Sequence, residues 1–143
     1  MTPAGKAQLA SDEGCRLTAY QDEGGVWTIG VGQTGSGIGP GVVWSQTQAD
    51  VAFAASIAST ESRLTVALPW FSATDSVRAD VLTNIAFNVG VSGLQHWPNT
   101  LALFEAKDWP GASNALLHEG KWNRDVGERA NRLAAATLSG AWG

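Results

Sequence analysis

Paired cysteines, a basic excess and long apolar runs are all missing from this 143-residue sequence, and each absence removes a class of function. The single Cys15 cannot close an internal disulfide, whereas small domains that fold in oxidising compartments usually carry several paired cysteines. A reducing compartment is therefore the expected place of folding. Nine Lys and Arg stand against thirteen Asp and Glu, a formal net charge of −4, with no run of like charge. Nucleic-acid binding needs a basic face to neutralise phosphates, so that class is excluded, and capture by any anionic polymer through long-range charge is disfavoured. No stretch of about 18 apolar residues occurs, and the first ten residues hold no apolar run of signal-peptide length. Neither stable membrane association nor self-export is expected. His96 and His118 have no partners at metal-ligand spacing, so no metal site is expected.

What the sequence does have is one domain's worth of chain, with 44% hydrophobic and 15% charged residues. Thr2 and Pro3 supply an N-cap and a first-turn proline, and Gly14 a stop, which predicts a helix over about 3–13. From Leu17 to about Val43 β-formers alternate with glycine, and eight of the seventeen glycines lie between Gly24 and Gly41. That texture predicts a small β-lobe with tight turns, and 34–41 reads as a flexible loop leading out of it. Ser45 and Gln48 form a capping-box pattern opening a helix to about 64. After Pro69-Trp70-Phe71, residues 72–75 read as a second capping box, starting a central buried helix at about 73–89 that Gly90 ends. Shorter helices are predicted at about 99–106, 109–118 and 128–138. The fold class is therefore α+β: a β-lobe over about 14–44, joined by one helix to a larger helical lobe over about 45–143 that packs with helix 3–13, in one domain spanning 1–143.

One stretch reads as a site. Glu13 falls at a helix end, Asp22 nine residues on in a turn, and Thr28 six beyond that. Two carboxylates at fixed separation, one protonated and one ionised, are the minimum equipment for splitting a glycosidic bond. Glu13 suits the acid role, because burial and the negative end of the helix dipole both disfavour its charge. Asp22, in a wetter hairpin, would stay ionised and activate water that the Thr28 hydroxyl could hold. If 23–25 is a three-residue loop with one left-handed glycine, Asp22 pairs with Val26, Tyr20 with Thr28, and Asp22 and Thr28 share a face. A two-residue Gly-Gly loop would separate them, so the chemistry requires the longer loop. Taken alone, an Asp before Gly-Gly is a turn residue more often than a catalyst.

Read together, Glu13-Gly14, Arg16-Leu17, Ala19-Tyr20, Asp22, Gly25 and Thr28-Ile29-Gly30-Val31-Gly32 closely resemble the signature of the phage-type lysozymes, the endolysins of glycoside hydrolase family 24. The resemblance implies a lysozyme-like fold with a cleft between the lobes, Glu13 as general acid, and Asp22 and Thr28 placing the water. It extends to Asn84-Ile-Ala-Phe-Asn88-Val-Gly90, implying that Phe87 packs at the cleft floor and Asn88 contacts substrate, and to Trp97-Pro-Asn-Thr-Leu101. Trp122 is similar in place to a cleft-wall residue. The run 127–132 resembles the segment whose arginine pairs with the catalytic glutamate, with Arg129 the first choice and Arg132 the second. Such an arginine would oppose the effects of burial and dipole on Glu13. Gln33 departs from the pattern, standing where some relatives carry histidine, so a buried ion pair of theirs is expected to be missing. The acidic net charge also departs from more basic members, so wall affinity would have to come from contacts within a cleft.

The implied activity is hydrolysis of the β-1,4 bond between N-acetylmuramic acid and N-acetylglucosamine in bacterial peptidoglycan, with inversion and without a cofactor, in host-cell lysis. The protein is expected to be monomeric and to wait in the host cytoplasm until a holin-type protein opens a way to the wall. A virion-borne lysozyme is the other placement. Two competing functions remain open: a non-catalytic wall-binding or virion structural protein with this fold, and a lytic transglycosylase, which needs one acid and forms an anhydro sugar. Of the seven tryptophans most are expected in the core, and Cys15 is expected as a buried thiol.

Overall fold

Thr2 begins the chain's first helix as the sequence predicts: its hydroxyl accepts the Gly5 N–H at 3.0 Å and its carbonyl the Lys6 N–H at 2.9 Å. A computed structural model describes all residues, 1–143. The helix, α1, runs Pro3–Glu13. Gly14, at φ +73°, stops it in the left-handed conformation that glycine adopts without steric cost. Two antiparallel strands follow, β1 (Arg16–Gln21) and β2 (Trp27–Gly30). Seven further helices complete the chain: α2 (Gln46–Ala67), α3 (Ser76–Val89), α4 (Val91–Leu94), α5 (Pro98–Glu105), α6 (Trp109–Leu116), α7 (Trp122–Val126) and α8 (Glu128–Ser139). The class is α+β, as predicted. No helix is long and apolar enough to cross a membrane.

The chain divides into two compact units, one of Ala7–Ser59 and one of Met1–Lys6 with Thr60–Gly143. In the first, Leu9, Ile29, Val31, Ala49, Phe53 and Ile57 are buried. The capping box that opens α2 is present in both halves: Gln48 N–H donates to Ser45 Oγ at 3.1 Å, and Ser45 N–H to Gln48 Oε1 at 2.8 Å. The stretch 34–41 forms turns closed by Ile38 N–H on Gly35 O and Val42 N–H on Gly39 O. It returns residues 42–44 alongside β1, where Ala19 N–H donates to Val42 O and Trp44 N–H to Leu17 O.

In the second unit α3 is the central helix: all residues from Asp80 to Ala86 are buried. Leu64, Leu82, Ile85, Phe104, Leu116 and Leu133 meet in one core with it. The helix starts later than the predicted 73. Phe71 is drawn into the core and a 3-10 turn, Phe71–Ala73, carries the chain past it, so the box expected at 72–75 does not form. Asp75 alone caps α3, accepting Arg78 N–H at 3.2 Å. The short helices α4 and α7 have too few residues to show a period in sequence.

Two polar devices tie this unit together. Asp80, 2% exposed, accepts from the Thr2 N–H at 3.0 Å, the Thr2 hydroxyl and Trp142 Nε1 at 3.2 Å. Gly5 lies so close to this carboxylate that it has no room for a side chain. Arg78 donates from Nε to Thr137 O at 2.8 Å and from Nη2 to Leu138 O at 3.2 Å, and its guanidinium stacks 4.4 Å from the Trp109 ring centre. It thereby satisfies carbonyls that the last turn of α8 leaves open and places a cation at the negative end of that helix.

Candidate active site

The hairpin decides how Asp22 and Thr28 are presented. Tyr20 pairs with Thr28 and Gln21 with Trp27. Beyond them Asp22 N–H donates to Val26 O, Gly25 N–H donates back to Asp22 O, and Gly25 sits at φ +78°. Three residues, 23–25, thus form the loop, with glycine where a left-handed residue is needed. Side chains two apart on a strand share a face, so Asp22 follows Tyr20 onto the face that Thr28 occupies. Nearer α1 the ladder slips: Arg16 pairs with Gly30, and the extra residues of β1 pair instead with 42–44.

The hydrogen bonds show what each group has left to offer. Asp22 is exposed, and its Oδ1 accepts the Val26 N–H at 2.8 Å. That bond orients the carboxylate and leaves Oδ2 available. Thr28 is 4% exposed, and its hydroxyl donates to Val26 O at 2.9 Å. Its hydrogen is committed, so the oxygen can only accept from a further partner. Glu13, the last residue of α1, is half-buried.

The turn after β2 is held from within. Ile29 and Gln33 exchange backbone hydrogen bonds at 2.9 Å, Gln33 Oε1 accepts Val31 N–H at 2.7 Å, and Gln33 Nε2 donates to Val31 O at 2.9 Å and Ser56 Oγ at 3.3 Å. Gly30, at φ +64°, lies against the Gln33 carboxamide and the Trp44 ring. A neutral carboxamide thus closes this turn.

Among the residues of the helical unit, Asn88 is exposed and its Oδ1 accepts from Trp122 Nε1 at 2.9 Å. The carboxamide's two N–H donors take no part in that bond. Trp122 is 8% exposed and meets Trp97 edge to face at 5.1 Å, while Phe87 is half-buried. Arg129 is buried near the start of α8; its Nε donates to Asn84 Oδ1 at 2.9 Å and its Nη2 to Asn84 O at 3.2 Å. Arg132, one turn on, is exposed.

Cys15 corrects the sequence reading. It is exposed, not buried, because the left-handed Gly14 turns 14–16 outward between α1 and β1. Asn84 was present in the motif without a role. A fully buried polar residue inside an apolar helical run is the signal that marks it as a partner for a buried charge.

Comparison with known proteins supplies the context. The model of the family described as "Phage lysozyme" matches residues 10–136. Two similar proteins of Dictyostelium discoideum, named "Probable T4-type lysozyme 1" and "Probable T4-type lysozyme 2", are each 26% identical over 94% of this chain and 94% of their own.

Proposed function

Because the chain belongs to the phage lysozyme family and so is a lysozyme-type muramidase acting on peptidoglycan, we propose that Glu13, Asp22 and Thr28 carry its reaction, with inversion at the anomeric carbon. The observation that bears most on this reading is the hairpin register, which puts Asp22 and Thr28 on one face. A water on that face would give one hydrogen to Asp22 Oδ2 and the other to Thr28 Oγ1. Both its hydrogens are then engaged, and a lone pair remains for the anomeric carbon of N-acetylmuramic acid. As that bond forms, Asp22 takes a proton from the water, the bond from the anomeric carbon to O4 of N-acetylglucosamine breaks, and Glu13 delivers its proton to O4. No glycosyl ester forms. Asn88 and Trp122 are assigned to substrate contact, with Phe87 packing beneath them and Arg129 or Arg132 supporting Glu13.

The decisive experiment compares clearing of purified peptidoglycan by the native chain and by Glu13→Gln, with mass spectrometry of the products. Products heavier by one water are expected from the native chain; anhydro ends would make it a transglycosylase, and equal clearing by Glu13→Gln would refute the acid role. NMR of the new anomeric proton within the first turnovers should show the inverted anomer.

The phage-lysozyme likeness also supports a role in host-cell lysis, with a monomeric enzyme reaching the wall from the cytoplasm through a lesion made by a holin-type protein. Turbidity of cells expressing the chain should fall only once the membrane is permeabilised. Lysis without permeabilisation would refute that route.

A further inference from the structure

Val43 and Val51 leave large apolar side chains in solvent, 65% and 66% exposed, on the unit that carries the hairpin. Val51 lies in an open groove of about 370 Å3 lined also by Trp44, Thr47, Gln48, Ala52 and Ala55. On α2 the positions 47, 48, 51, 52 and 55 fall on one face, and Trp44 closes its N-terminal end. Trp44 is held from two sides. Its backbone N–H donates to Leu17 O in β1 at 2.8 Å, and its ring lies against Gly30, two residues past Thr28. The groove is thus fastened to both strands of the hairpin that presents Asp22 and Thr28.

Its lining holds no ionisable side chain, yet it is not purely apolar. Gln48 Oε1 accepts the Ser45 N–H at 2.8 Å, which fixes the carboxamide and leaves Nε2 with two hydrogens to give. Trp44 Nε1–H and the Thr47 hydroxyl have no protein partner. An indole beside apolar side chains, with three neutral hydrogen-bonding groups, suits a ligand with a flat apolar face and a rim of hydroxyls, which is a pyranose. An acetamido methyl would extend the apolar contact over Val51, Ala52 and Ala55. Charge argues against other occupants. Residues 7–59 hold five acids, Asp12, Glu13, Asp22, Glu23 and Asp50, against Arg16 alone, so this unit carries the chain's whole net charge of −4. Such a surface repels anionic lipid headgroups and polyanions, whereas a neutral sugar is indifferent to it.

We propose that this groove is a second glycan-binding site, taking a neutral N-acetylhexosamine unit of a peptidoglycan strand by stacking on Trp44. The inference rests on the muramidase reading and supplies wall affinity that the acidic chain does not get from charge. Two contacts with one insoluble polymer strengthen each other through effective concentration.

Binding is read by NMR with the soluble tetramer of N-acetylglucosamine. The Trp44 indole N–H signal and the Thr47 and Ala52 amides should shift together and saturably, and Val51→Lys should abolish those shifts. Position 51 is exposed, so the variant should keep the native Tm. On sacculi Val51→Lys should raise KM about fivefold, the loss of one stacked contact, with kcat unchanged. The sign is diagnostic, because a lysine added to an acidic protein would lower KM for an anionic wall if long-range charge governed capture. A Trp44 signal unmoved by the tetramer, or an unchanged or lowered KM for Val51→Lys, would overturn the site and leave muramidase activity standing. Equal shifts with the glucose tetramer would overturn the assignment to N-acetylhexosamine. A dimer whose formation moves the same signals would overturn it in favour of a second copy of the chain. If the native chain clears no sacculi, the muramidase reading falls, and saturable Trp44 shifts would in that case support sugar binding by a non-catalytic chain.

Discussion

Replacing Gly5 by alanine should destabilise this protein, although the same change in most helices stabilises. Alanine is favoured over glycine in a helix interior by about 1 kcal/mol. At Gly5, however, an added Cβ would overlap an Asp80 carboxylate oxygen and lie 2.5 Å from its Cγ and 2.9 Å from its Cβ. Asp80 is too short to swing aside while keeping Thr2 and Trp142 as partners. Each hydrogen bond to a buried charge contributes about 1.5–3 kcal/mol. Losing or stretching two of them outweighs the helix gain and leaves a net cost of about 2–4 kcal/mol. For a chain of this size that lowers Tm by roughly 5–12 °C, readable by circular dichroism or calorimetry. In an Asp80→Ala background only the contact to Cβ remains, so Gly5→Ala should there cost less than about 1 kcal/mol, and the double-mutant cycle should give a coupling of about 1 kcal/mol or more. A Gly5→Ala variant as stable as the native chain would refute the reasoning.

Three further outcomes are expected. Thr28→Val, which keeps the shape and removes the hydroxyl, should lower kcat about 100-fold with a stability loss of about 1 kcal/mol; unchanged clearing would show that the hydroxyl holds no water that matters. Asn84→Ala removes the acceptor of Arg129 Nε and should cost about 2 kcal/mol in denaturant unfolding, with Asn84→Asp retaining more stability than Asn84→Ala. Arg78→Ala should cost about 2–3 kcal/mol through the α8 carbonyls and the Trp109 ring, and Arg78→Lys should recover less than half, because an ammonium cannot reproduce the planar fork.

Features set by neighbours in sequence were legible before any coordinates. The Thr2-Pro3 start of α1, the Ser45–Gln48 box and the three-residue hairpin loop depend on residues within one turn of each other. The register of Asp22 and Thr28 follows from where Gly25 can be left-handed. What escaped reading depends on distant partners. Phe71 delays α3 because a core assembled from remote helices takes it in. Asp80 looks like an ordinary helix-surface acid, yet its partners are Thr2 and Trp142, 78 and 62 residues away. Asn84 and Arg129 are 45 residues apart. Cys15 is exposed where a buried thiol is expected, because the left-handed Gly14 turns the backbone outward.

That outward turn gives the natural sequence a single addressable thiol. Cys15 is the one cysteine and it faces solvent, so a maleimide dye or nitroxide attaches at one defined place with no prior engineering. The attachment point is two residues from Glu13 and one from the first residue of β1. A reporter there sits beside the proposed acid, and its spectrum registers events at that end of the hairpin without any second label to subtract.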